Sequence, residues 1–183
     1  MRVISGSRRG LKLDTPEGMI TRPTSDRIKE TLFNMIAFNL RDGRFLDLFS
    51  GSGQIGLEAL SRGASFAVFV EKDKNALNAI KNNFSNCKFE ESSKVISSDV
   101  ILAINALKNE EEFDFVFMDP PYNREIEIEV LQALKGSPCI GVNTLNIVEA
   151  SIETDFSYID ELGYELVKEK VYKTNKHLFL KKA

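Results

Sequence analysis

From Arg44 onward the chain alternates short runs of β-branched and aromatic residues with longer amphipathic runs. "RFLDLF" (44–49) reads as a strand that ends in "SGSGQIG". Residues 54–62 then read as a helix carrying Ile55, Leu57, Ala59 and Leu60. "FAVFV" (66–70) is a second strand ending at Glu71, and 74–84 a second helix. A short strand at about 94–98 leads to Asp99 and the helix "VILAINALK". "FDFVFM" (113–118) is a fourth strand, 125–135 a helix, and "TLNIVEAS" (144–151) a fifth strand. Such alternation restricts the chain to an α/β fold, a mostly parallel sheet with helices on both faces. Right-handed crossovers then align the carboxyl ends of the strands along one edge, where a ligand would bind.

The flanks differ. Residues 2–5 and 10–13 read as two short strands around "GSRRG", an N-terminal β-hairpin extension. In "TRPTSDRIKETLFNMIAF", Pro23 ends extended chain and Thr24 or Ser25 can cap a helix. Ile28, Leu32, Met35 and Ile36 then share one helical face. At the other end, 164–172 and 176–182 around "KTN" read as a C-terminal antiparallel hairpin. The chain is expected to divide into residues 1–40, hairpin and helix, and residues 41–183, the α/β domain.

A hydrophobic content of 43% suffices for a core, and no apolar run reaches the roughly 18 residues of a membrane span. A cytoplasmic protein is expected, with Cys87 and Cys139 as reduced, partly buried thiols. Net charge is −3, but it is unevenly spread. Residues 1–30 carry +3 and residues 168–183 carry +5, against −11 between them. Two basic ends meeting on one face would make a phosphate-binding patch; separately they are solvated lysines and arginines.

The first motif with chemistry is Gly51-Ser52-Gly53-Gln54-Ile55-Gly56, which follows a strand and opens a helix. Alone it fits a dinucleotide or a tight turn. Glu71, 20 residues after Gly51 at the end of the next strand, can accept hydrogen bonds from ribose hydroxyls. Asp99 can meet an adenine amine, cap a helix, or do both.

The second motif is "DPPY". Two consecutive prolines cannot continue a ladder, so the chain leaves the sheet in a fixed, extended shape. Asp119 and the Pro120 carbonyl can accept both hydrogens of an exocyclic amine, and Tyr122 offers a face for a flipped-out base. A surface turn is the plainer alternative.

"LDLFSGSGQIGLEALSRGA", "VFVEKD" and "MDPPY", in that order, resemble the class I S-adenosylmethionine-dependent amino-methyltransferases. With "RPTSDRIKETLFNMI", "RVISGSRRGLKL" and "YKTNKHLFL", the whole chain resembles the RsmD family of bacterial 16S rRNA guanine-N2 methyltransferases. The resemblance implies a Rossmann-like, seven-stranded sheet, with residues 1–40 as an RNA-facing extension. It implies S-adenosyl-L-methionine as cofactor, held by Asp47, Phe49, Ser50, Gly51, Gly53, Gly56, Glu71 and Asp99. It implies Asp119, Pro120, Pro121 and Tyr122 as the catalytic target-base site, and 16S rRNA within an assembling small ribosomal subunit as partner. Arg8, Arg9, Arg22 and Arg27 are the candidate RNA contacts. Arg22, Arg27 and Lys29 can bind phosphate or pair with Asp26 and Glu30 on the same helix, and Arg22, preceding the helix, is the better phosphate ligand. No metal and no membrane are expected, and the protein is expected to be a monomer.

Three rivals stay open: an adenine-N6 methyltransferase acting on DNA or RNA, a nicotinamide-dependent oxidoreductase that leaves "DPPY" unexplained, and a non-catalytic RNA-binding module. His177, alone of its type, has no partner motif in the sequence and reads as structural.

Overall fold

The computed structural model describes residues 1–16, 25–121 and 125–183. Seven strands form one sheet: β1 (Arg44–Leu48), β2 (Phe66–Glu71), β3 (Ser93–Ser97), β4 (Phe115–Met118), β5 (Leu145–Ser151), β6 (Tyr164–Val171) and β7 (Asn175–Lys182). Their order is β3-β2-β1-β4-β5-β7-β6. The first five run parallel, and β7 enters antiparallel between β5 and β6. This is the mostly parallel sheet with a terminal hairpin that the alternating pattern requires. Among the described residues, no helix is long and apolar enough to cross a membrane.

Among the described residues five α-helices cover both faces: α1 (Asp26–Leu40), α2 (Gln54–Ser61), α3 (Lys74–Cys87), α4 (Val100–Ala106) and α5 (Ile126–Lys135). Ser25 caps α1, its hydroxyl accepting from the Ile28 N–H at 3.3 Å; Thr24, the other expected cap, lies outside the described residues. Helices α1, α2 and α3 pack on one face, with Phe33, Phe45 and Phe115 in a run of stacked rings. Helices α4 and α5 pack on the other, over Leu46, Val68, Val116 and Val148. Both faces are therefore apolar, as a central parallel sheet demands. Cys87 and Cys139 are buried free thiols.

The N-terminal hairpin is shorter than expected. It has one antiparallel bridge, Arg2 to Lys12, around a 3₁₀ turn at Gly6–Arg8. The reason lies in α2. The N–H groups of Ile4 and Ser5 donate to the two carboxylate oxygens of Glu58, at 2.8 and 3.0 Å, rather than extending a ladder. Glu58 is fully buried and also faces Lys29 at 3.7 Å and Arg62 at 2.7 Å. Burial pushes the Lys29 ammonium below its ordinary range, and Glu58 pulls it back up. The Lys29 Nζ also donates to the Arg2 carbonyl at 2.7 Å. Gly6 has φ +82°, and a Cβ there would stand 1.8 Å from the Ser61 carbonyl oxygen. Only glycine lets this turn lie against α2.

This clasp makes a stability prediction. Glu58→Ala strands the buried Lys29 and three backbone or guanidinium donors, so unfolding free energy should fall by about 3–5 kcal/mol. Urea denaturation measures it, and limited proteolysis should show cleavage within residues 1–16. A loss under about 1 kcal/mol would mean the clasp is dispensable.

Candidate active site

The site is built at the carboxyl ends of β1, β2 and β4. Beyond β1 the backbone makes a tight reversal in which Phe49, Gly51 and Gly53 all take left-handed φ, at 62°, 56° and 77°. The Ser50 N–H donates to the Val70 carbonyl and the Gly53 N–H to the Ser50 carbonyl, tying the loop to β2 and to itself. The Ser50 hydroxyl donates to the Asp47 carbonyl at 2.7 Å. The glycines do different jobs. A Cβ at Gly56 would lie 2.4 Å from the Phe69 ring, so that glycine serves helix-to-strand packing. A Cβ at Gly51 would meet nothing within 4 Å, so its face is open to an approaching group.

Asp47 is buried, and its Oδ2 accepts the Gly56 N–H at 2.9 Å. Burial pushes its carboxyl up to about 7; the Gly56 N–H opposes this and the Glu71 charge adds to it. Glu71 accepts the N–H groups of Lys72 and Asp73 on Oε1 and of Gly51 on Oε2. It thereby locks the glycine loop to the end of β2, while a carboxylate's roughly four acceptor positions leave room on Oε2. Asp99 caps α4 through the Ile101 N–H at 3.2 Å and meets Lys72 at 3.4 Å. Phe49, Glu71, Lys72, Ser98, Asp99 and Val100 enclose a cavity of about 50 Å³. A larger cavity of about 270 Å³ between α4 and α5 lies away from the strand ends and is lined by Lys108, Gln132 and Ser137. Its size does not make it the chemical site, because no strand-end carboxylate reaches it.

Asp119 follows β4 directly. Burial pushes its carboxyl up to about 8, with the charges of Glu149 and Asp47 adding to the effect. Pro120 is buried and Pro121 exposed, so the chain turns outward between them. Tyr122 lies outside the described residues. The fold thus gathers Asp47, Phe49, Ser50, Gly51, Gly53, Gly56, Glu71, Asp99, Asp119 and Pro120 along one sheet edge.

The basic residues are more dispersed. Arg8 donates its Nε to the Cys87 carbonyl at 2.6 Å and lies over the Phe89 ring, anchoring the hairpin to α3. Arg9 and Arg27 are exposed; Arg22 lies outside the described residues. Lys29, read as a possible surface cation, is buried against Glu58. The N-terminal hairpin packs on α2 and α3, whereas the C-terminal hairpin forms the opposite edge of the sheet.

The motifs did not reveal Glu149 and His177. Both are buried, with Glu149 Oε2 3.0 Å from His177 Nε2. The available signal was a lone carboxylate inside the apolar run "NIVEAS", near a strand end like Glu71 and Asp119.

Comparison with known proteins bears on this arrangement. The family model described as "Conserved hypothetical protein 95" matches residues 1–181. The Ribosomal RNA small subunit methyltransferase D of Haemophilus influenzae is 36% identical over 171 residues, covering 93% of this chain and 88% of that protein. The protein of the same name from Escherichia coli K12 is 34% identical, covering 93% and 84%. A solved structure of a hypothetical protein from Thermus thermophilus superposes with a TM-score of 0.82 at 29% identity, covering 98% of each chain. The chain therefore belongs to the family of Ribosomal RNA small subunit methyltransferase D, the family its motifs resemble.

Proposed function

We infer that this chain transfers a methyl group from S-adenosyl-L-methionine to the exocyclic N2 amine of a guanine in 16S rRNA during small-subunit assembly. The observation that carries the reading is Asp119: a half-buried carboxyl followed by two prolines at the carboxyl end of a central strand that pairs with the strand leading into the glycine loop. The cofactor fits residues present. The Gly51 face is open, Oε2 of Glu71 keeps an acceptor position for a ribose hydroxyl, and Phe49 and Asp99 beside it offer a ring and a carboxylate to an adenine face and amine. The bound cofactor supplies an electrophilic methyl on a positive sulfonium, a charge suited to an edge holding Asp47 and Asp119.

The chain's own residues then have separable tasks. The Asp119 carboxylate and the Pro120 carbonyl accept the two amine hydrogens and point the nitrogen lone pair along the line of displacement. Positioning of this kind supplies roughly 7–11 kcal/mol of a bimolecular barrier. As the nitrogen gains its methyl it becomes cationic, and Asp119 takes the proton that it sheds. Tyr122 stacks on the base. Residues 1–40 form the RNA-facing extension, with Arg9, Arg22 and Arg27 on phosphates; Arg8 holds the extension in place.

Two glycine substitutions separate fold from ligand. Gly56→Ala should destabilise the free protein by about 1–3 kcal/mol through its clash with Phe69. Gly51→Ala should cost only about 1 kcal/mol of stability, from its left-handed φ. Yet it should abolish the rise in melting temperature that S-adenosylmethionine gives the wild type. Calorimetric scans with and without the cofactor distinguish them; no thermal response of the wild type to the cofactor would overturn the reading.

Asp119→Asn should remain folded and bind cofactor, while turnover falls by roughly two to four orders of magnitude. Mass mapping of methylated nucleotides in small-subunit RNA, with and without the gene, tests the substrate directly. A methylated adenine lost in place of a guanine would redirect the assignment.

The raised carboxyls also fix a pH dependence. Asp47 and Asp119 bind protons more tightly in the folded chain than in the unfolded one. Their contribution is therefore fully present below about pH 4 and is lost as pH rises toward 8. Asp119→Asn should flatten this part of the stability curve in chemical denaturation at stepped pH.

A further inference from the structure

Behind Asp119, away from the cofactor loop, lies a buried polar group that the reaction as described does not use. Met118 of β4 pairs with Val148 of β5, so the next residues along, Asp119 and Glu149, are neighbours across parallel strands about 4.8 Å apart. Glu149 in turn faces His177 of β7 in the antiparallel ladder. Glu149 is 4% exposed and His177 fully buried. Oε1 of Glu149 accepts the Asn175 amide at 2.6 Å, and Oε2 meets His177 Nε2 at 3.0 Å. The other ring nitrogen, Nδ1, lies 3.3 Å from the Tyr172 hydroxyl oxygen. The Phe117 ring of β4 stands edge-on to the imidazole at 6.1 Å.

Charge makes this more than packing. Asp119 is faced by Asp47 from β1 and Glu149 from β5, both acidic. Around His177 the facing groups are Glu149 on β5, Tyr172, and Lys170, its register partner on β6, which is exposed. Lys176 is engaged with Glu169 and the Phe156 ring. An imidazolium would donate from Nε2 to Glu149 and from Nδ1 to the Tyr172 oxygen, which both distances permit.

We propose that His177 is a positioning residue that offsets the Glu149 charge facing Asp119, so that Asp119 gives up its proton more readily than it would beside Glu149 alone and can accept the amine hydrogens. The inference rests on the methyltransferase reading for its purpose but not for its test. A ring N–H donated by His177 to Glu149 draws that carboxylate's charge away from Asp119. Loss of the imidazole leaves the Glu149 charge to act on Asp119 more strongly, and Asp119 then holds its proton more tightly. Asn175 and Tyr172 orient the pair from either side.

The test is the titration of Asp119 itself, followed by carboxyl 13C NMR on aspartate-labelled protein, with the signal assigned from its loss in Asp119→Asn. Glu149→Gln should lower the Asp119 midpoint by about one pH unit, and His177→Gln should raise it by a similar amount. Tyr172→Phe, which leaves the Glu149–His177 contact intact, should move it in the same direction as His177→Gln but less. Tyr172→Phe reads the same contact through His177 Nδ1 should His177→Gln not fold. The acid limb of the turnover profile should shift with the NMR midpoints. Midpoints unmoved in folded Glu149→Gln and Tyr172→Phe proteins, or a fall in His177→Gln, would overturn the proposal. Opposite midpoint shifts in a protein that methylates nothing would uphold the pair and overturn the methyltransferase reading instead.

Discussion

The pairing of β1 with β4 is the constraint on which the rest depends. After β1 the chain moves outward to β2 and β3, then returns to place β4 on the other side of β1. Loops leaving the carboxyl ends of those two strands must therefore diverge, and a crevice opens between them. The register Leu48 to Met118 brings the glycine loop and the Asp-Pro-Pro turn to the two walls of that crevice. The glycine loop and Asp119 are adjacent because of strand order, not because the two motifs are close in sequence.

Across this sheet the side chains form rows. Phe69, Asp47, Phe117, Ile147 and Phe179 share one row, in register across five strands, with a single carboxyl among four apolar residues. The next row on that face holds Asp119, Glu149 and His177. Polarity thus increases abruptly toward the carboxyl edge, and the transition from core to site takes about two residues of strand. Burial at this transition, more than any single neighbour, raises the two aspartates.

Most of the fold was legible in residue order because each element has one dominant signal. The β1, β2, β4 and β5 runs are mainly apolar and end in glycine, proline or acids, only β3 (SKVIS) being half polar, and the helices carry a clear apolar face. Glycine-loop residues and Asp119 could be named because their chemistry is local: a turn, a proline pair, a strand end. What was illegible is long-range. Glu58 looked like one more helical carboxylate, and only its meeting with Ile4, Ser5 and Lys29 makes it a clasp. His177 looked isolated because Glu149, its partner, is 28 residues away and pairs with it only through the sheet. Arg8 has the composition of a phosphate ligand, yet half of its work is an anchor to the Cys87 carbonyl.

The place of β7 carries one more consequence, for the order in which the molecule can be assembled. It follows β6 in sequence yet lies inside it in the sheet, between β5 and β6. Until residues 175–182 arrive, β5 has a bare backbone edge, Glu149 lacks its histidine, and β6 has nothing to pair with. Synthesis runs at about 5–20 residues per second, so the nascent chain spends a brief interval with an apolar, unpaired strand near its growing end. Exposed edges of this kind recruit other strands. Insertion of β7 between β5 and β6 ends that exposure, and the same step brings His177 to Glu149 beside Asp119.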